Sequence, residues 1–196
     1  MQNFGNNRFM KPAFDCQILQ NTLLECLNSK ANECFKRDEN DASGCKNLPL
    51  KSVVIVCFGT PLVSGDAFAP LVADSLREDF NVPVFVYGTT LNPVSAKNMA
   101  EWLDFIKVVH KGDLIIAVDA SLGDKVGGVA IRKDGVCPAA VKGRKRRFGD
   151  VGILGIVAKA GGDPLVNLMN ADFEFVEESA GVCANAISQA ILNFNY

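Results

Sequence analysis

The sequence predicts an α/β domain of three layers, α/β/α, in which a mostly parallel, twisted sheet is covered by helices on both faces. Two observations predict it. Apolar, β-branched runs such as SVVIVCF (52–58) and DLIIAVD (113–119) alternate with segments whose apolar residues recur at helical spacing. Within the runs the apolar residues are consecutive rather than alternating, which is the pattern of strands buried on both faces, as parallel strands are. A chain of 196 residues, 48% hydrophobic, is long enough to enclose such a core.

Taken in order, residues 15–35 place Cys16, Ile18, Leu19, Leu23, Leu24, Cys26 and Leu27 along one stripe and predict an amphipathic helix packed on the main domain. The stretch KRDENDASGCKN follows, too polar for a core element, and reads as an exposed linker. These observations divide the chain into 1–50, an N-terminal helix with its linker, and 51–196, the α/β domain. Ser52–Phe58 is the first strand, TPLVSGD its loop, and Ala67–Phe80 a helix presenting Phe68, Leu71, Val72, Leu76 and Phe80. Val82–Tyr87 is the second strand, closed by Gly88. Pro93–His110 is helical in pattern, with Asn92 as N-cap and Pro93 in the first helical position. Asp113–Asp119 is the third strand and leads into ASLGDKVGG. Gly128–Arg132 and Val151–Ala158 are further strands, and Val176–Phe194 is the closing helix with Ala180, Cys183, Ile187 and Ile191 inward.

Composition excludes several classes of function. A formal net charge of −2 gives no general attraction to nucleic acid or to anionic membranes. No apolar run approaches the roughly 18–20 residues of a membrane span, and the first residues lack a charged start followed by an apolar core, so a cytoplasmic location is expected. The seven cysteines form no CxxC pair and are expected to be reduced, small apolar residues on a helix with Cys45 in a loop. With His110 as the single histidine, neither a zinc site nor a Ser/His/Asp apparatus is expected, and His110 itself reads as a surface group near a helix end. No strand is followed by GxGxxG or GxxxxGK[ST], so no cofactor is expected. Lys142, Arg144, Lys145, Arg146 and Arg147 form a basic run without interleaved aromatic residues, which reads as a solvated loop and not as a nucleic-acid site.

Binding crevices of open α/β sheets lie beyond the carboxyl ends of the strands. Two acids stand there: Asp66 in the loop after the first strand and Asp119 at the end of the third. If the two strands are neighbours, the carboxyls share a crevice, and a close pair cannot both ionise near neutral pH without a large electrostatic cost. One then activates water while the other polarises an amide carbonyl. On spacing alone, Asp66 also reads as an N-cap of the helix it precedes, and Asp119 as a desolvated carboxylate requiring a hydrogen bond, cation or ligand. Around them, the backbones of Gly59, Gly65, Gly88 and Gly123 would allow close approach of a peptide, and Thr60, Ser64, Asn92 and Ser121 would donate or accept hydrogen bonds.

The strings CFGTPLVSGDAFAPLVADSL, VYGTTLNPVSAKNM and IIAVDASLG resemble the signature of the YyaC family, a group of sporulation proteins of spore-forming Firmicutes, over about Val53–Ile191. That resemblance implies a fold shared with the spore germination protease and, more distantly, with hydrogenase maturation proteases. It also implies that Asp66 and Asp119 match the two aspartates regarded as catalytic in the germination protease. In hydrogenase maturation proteases a later histidine completes a metal set; here His110 precedes the third strand, which departs from that pattern. The expected function is thus a sporulation-associated peptidase acting on a peptide or protein. The alternative is a non-catalytic protein that holds a peptide or small ligand in the same crevice, with a divalent metal on the two acids as a third reading. Oligomeric state is not legible.

Overall fold

Five consecutive apolar residues make β1 (Val53–Cys57), and all five are buried, because the strand lies inside the sheet with a layer on each face. The computed structural model describes residues 12–39, 52–138 and 147–194, with backbone alone over 34–39. β2 (Phe85–Tyr87) pairs with one side of β1 and β3 (Leu114–Leu122) with the other, both parallel to it. Beyond β3 come β5 (Val151–Ala158), parallel, and β4 (Val129–Arg132), antiparallel at the outer edge. The order β2-β1-β3-β5-β4 makes a mixed α/β sheet that is mostly parallel.

The connections explain the layers. From β1 the chain steps to β2 through α2 (Phe68–Glu78), then returns past β1 to β3 through α3 (Met99–Val109). Right-handed crossovers in opposite directions put the two helices on opposite faces. On the α2 face, Val72 and Leu76 meet Ile55, Ile116 and Ile153 in one cluster with Ile187 of α5 (Phe173–Asn193). α1 (Cys16–Glu39) joins the same cluster through Leu19, Leu23 and Leu27, and the Cys16 thiol donates to Val182 O at 3.9 Å. On the α3 face, Val54, Val56 and Phe58 pack with Val94, Met99, Ile106 and Phe148. Gly155 lets α2 sit close: a Cβ there would collide with the ring of Phe68.

Several expectations are corrected. The helix predicted from Pro93 begins only at Met99. Asn98 accepts from Ser95 N–H at 2.9 Å and donates to Pro93 O at 3.0 Å, while Val94 pairs beside Phe58, so residues 93–98 form a turn that prolongs the sheet. Asn92 therefore caps no helix. The second strand covers only Phe85–Tyr87, since Asn81 has a positive φ of 45° and Pro83 lacks the N–H a ladder needs. The third strand, predicted over Asp113–Asp119, runs from Leu114 to Leu122 and so takes in Ser121 as well. A short helix, α4 (Pro164–Met169), was not predicted; Asp163 caps it, accepting from Leu165 N–H at 2.9 Å. α5 starts ahead of Val176 because Asp172 accepts from Glu174 and Phe175 N–H. α1 continues through 36–39, the start of the predicted linker, whose remainder lies outside the described residues.

His110 is buried, 4% exposed, rather than on the surface. Its Nε2 lies 2.8 Å from the Tyr87 hydroxyl and its Nδ1 2.8 Å from Asp113 Oδ2, in an aromatic cluster with Phe85 that ties the end of α3 to the edge strand. Cys16, Cys26, Cys57, Cys137 and Cys183 are free thiols; Cys45 and the side chain of Cys34 lie outside what is described. Of the basic run only Arg147 is described, paired with Asp134 at 3.0 Å at the surface. No helix among the described residues is long and apolar enough to cross a membrane.

Candidate functional site

Strand order reverses between β1 and β3, and the crevice outside the carboxyl ends of strands at such a point is where open α/β sheets bind ligands. Here β1 ends at Cys57, which faces Val118, and Phe58 N–H bonds Val118 O at 2.8 Å. Asp119 is the next residue of β3, so on its β1 side it stands where regular pairing stops. On its other side β3 continues against β5, with Asp119 opposite Leu154, which holds its backbone in line.

Asp66 reaches the crevice by a tight turn. Gly59 has φ 148°, and a Cβ at this position would collide with the Asp66 carbonyl oxygen, so the chain turns this sharply only with glycine. Gly59 N–H bonds Val94 O at 3.0 Å, pinning the turn to the segment before α3. Asp66 itself occupies a 3-10 turn, Gly65–Ala67, ahead of α2. It does not cap the helix: the cap position belongs to Ala67, with no side-chain cap bond. Its Oδ2 instead accepts the Thr60 N–H at 2.9 Å, which orients the carboxyl across its own loop.

Both acids line one cleft of about 400 Å³. Gly59 and Thr60 form part of its wall, Val94, Ser95 and Met99 another, and Leu165 and Leu168 of α4 a third. Burial raises the pKa of Asp66, opposed by the Thr60 N–H bond. Asp119 is pushed well above the ordinary carboxyl range, first by burial, then by the negative charge of Asp66, with the Ala120 N–H pulling the other way. Asp119 is thus the member that keeps its proton when Asp66 has lost its own, the asymmetry expected when two like groups share a desolvated site.

The remaining residues named from sequence are dispersed. Gly59 and Thr60 line the cleft with the acids. Asn92 lies in a separate groove along β2, with Gly88, Tyr87 and Trp102. Gly65 is buried against Val157 and Leu168, leaving no room for a Cβ; Ser64 precedes the 3-10 turn. Ser121 belongs to β3, and Gly123 packs beside Ile156. Sequence reasoning missed Ser95, Met99, Leu165 and Leu168. The pair Asp163-Pro164, an N-cap followed by proline at the first helical position, was the available signal for α4. For a metal, Asp66 and Asp119 offer two carboxylates; among the described residues no three His, Cys, Asp or Glu side chains come together as a ligand set.

Comparison with known proteins agrees with the sequence strings. The chain is 36% identical over 150 residues to the uncharacterized protein YyaC of Bacillus subtilis (strain 168), a match spanning 75% of this chain and 73% of that protein. Among solved structures it is similar to the [NiFe] hydrogenase maturation protease HycI from Thermococcus kodakarensis KOD1, with TM-score 0.48 and 22% identity, over 72% of this chain and 93% of that one. Residues 31–187 match the family described as "Protein of unknown function (DUF1256)", and the chain belongs to that family.

Proposed function

We propose that this chain is a sporulation-associated peptidase in which Asp66 and Asp119 activate water against a peptide bond. One observation carries the reading: two carboxyls from separate strand ends line one cleft, and burial together with the charge of Asp66 favours the protonated form of Asp119. The ionised Asp66 takes a proton from a water molecule, whose oxygen attacks the carbonyl carbon. The protonated Asp119 polarises the carbonyl oxygen and transfers its proton to it as the tetrahedral intermediate forms. Collapse returns a proton to Asp119, and Asp66 delivers the one it took to the departing amine. Asp66 suits the base role because Thr60 N–H favours its charged form. The resemblance to sporulation proteins supports the biological setting.

The test is incubation of the purified protein with extract of sporulating cells, beside Asp66→Asn and Asp119→Asn variants. Defined fragments from wild type alone support the peptidase. A peptide or small molecule that co-purifies uncut, and is lost in both variants, supports a binding protein on the same cleft instead.

A further inference from the structure

The Asp66–Asp119 cleft has two carboxyls and apolar walls. On one side α4 lines it with Leu165 and Leu168, though none of the residues of this helix is buried. Away from α4, Val63 and Ala96 line it with part of their surface open, while Val94 and Met99 are buried in the cluster of Phe58 and Ile106. A helix whose apolar residues served only the core would cover them. Instead Leu165 is 56% and Met169 57% exposed, held in place by the Asp163 cap and the link of Leu168 to Gly65. Apolar surface kept open beside polar groups that converge on one point is the general form of a site that grips a side chain and orients a bond.

We infer that the cleft takes an extended peptide segment by one large apolar side chain, seated against Leu165 and Leu168 of α4 and Val63 of the loop after β1. This rests on reading the cleft as a peptide site, and it names the feature by which the segment is chosen. A volume of about 400 Å³ admits one such side chain with its flanking backbone. A glutamate in the same place would lose its hydration against aliphatic walls and meet the charge of Asp66; a lysine would lose hydration likewise but be drawn to Asp66, so the Lys probe separates apolar selection from attraction to charge. The half-buried Ser95 and Thr60 hydroxyls lie at the same cleft and are suited to the segment's backbone.

The probes are acetylated and amidated Gly-Gly-X-Gly-Gly peptides with X as Leu, Phe, Glu or Lys, titrated into the full chain while methyl NMR signals are followed. The Leu and Phe probes are expected to shift the methyls of Leu165, Leu168 and Val63, and to bind on the order of tenfold more tightly than the Glu and Lys probes. Leu165→Glu, a change at an exposed position, should weaken the Leu probe by about tenfold. Leu192→Glu, exposed on α5, should leave it unchanged. Equal binding of the Glu or Lys probe, shifts confined to other surfaces, or indifference to Leu165→Glu would overturn the inference. Mass spectrometry of the same samples separates the two readings: a Leu probe bound but uncut upholds this selection and counts against the peptidase, whereas cutting indifferent to X does the reverse.

Discussion

Asp119 lines one cleft with Asp66, and its burial, with the negative charge of Asp66 across the cleft second, raises the pH at which Asp119 gives up its proton. Neither residue does this by sequence proximity. The loop after β1 and the end of β3 meet because β1 and β3 are parallel neighbours at the reversal of strand order. The division of labour follows from surroundings: burial is the largest influence on both and a backbone N–H opposes it at each, Thr60 at Asp66 and Ala120 at Asp119, but Asp119 is shifted further and also bears the charge of Asp66.

Stability should therefore fall as pH rises above the acid range. Asp119 titrates near 3.9 in an unfolded chain and well above that when folded, so the folded state holds the extra proton. Its contribution is full below the unfolded value and is lost as pH climbs through the folded one. Asp119→Asn has no proton to lose and should be the more stable protein at pH 8, by about 1.4 kcal/mol for each pH unit by which the titration of Asp119 is displaced. Urea unfolding of both proteins at pH 5 and pH 8 measures this; parallel pH slopes would contradict it.

Hydrolysis should follow a bell-shaped pH profile. The lower limb reports ionisation of Asp66, raised by its burial, and the upper limb loss of the Asp119 proton. Asp66→Asn and Asp119→Asn should each reduce kcat by a factor of about 10² to 10⁴ while retaining the circular dichroism of the parent. Steady-state rates on a peptide spanning the cut site of the natural substrate, between pH 4 and pH 9, check both statements.

Gly59→Ala should damage the site through the backbone. A side chain at φ 148° is strained, and its Cβ meets the Asp66 carbonyl oxygen. A loss of about 2–4 kcal/mol is expected, with a weakened Thr60–Asp66 bond seen as faster hydrogen exchange at the Thr60 amide. Unchanged stability and exchange would show that the loop relaxes elsewhere.

Tyr87→Phe should cost stability without touching the cleft. The Tyr87 hydroxyl is the partner of His110 Nε2, in an Asp113–His110–Tyr87 series centred on the buried His110 and outside the lining of the acid pair. Removing it leaves His110 short of a bond, for a loss of about 1–3 kcal/mol by thermal or urea unfolding. Hydrolysis rates at saturating substrate should match the parent; a large fall would place the edge of the sheet in the reaction.

The fold was legible where burial writes itself into composition. β1 and β5 are runs of apolar residues because neighbours cover them on both faces, and their limits agree closely with the periodicity. Where local hydrogen bonds decide, the sequence misled. The 93–98 segment carries helix-like spacing, but Asn98 closes a turn and Val94 pairs beside Phe58, outcomes that depend on a strand far away in the chain. His110 looked like a polar residue at a helix end until Asp113 and Tyr87 supplied both its partners from within the fold. Asp66 and Asp119 were nameable from their places after strands, and Thr60 and Gly59 from the adjoining turn. Leu165 and Leu168 were not, because a six-residue helix with no buried face leaves no apolar period to read.

Site-resolved titration of the two carboxyl carbons by NMR tests the central claim most directly. In the wild type, Asp119 should give up its proton at higher pH than Asp66, and Asp66→Asn should move the Asp119 titration to lower pH, since the charge opposing its ionisation is gone. Two independent titrations in the ordinary carboxyl range, with Asp119 indifferent to Asp66→Asn, would contradict the paired-acid account.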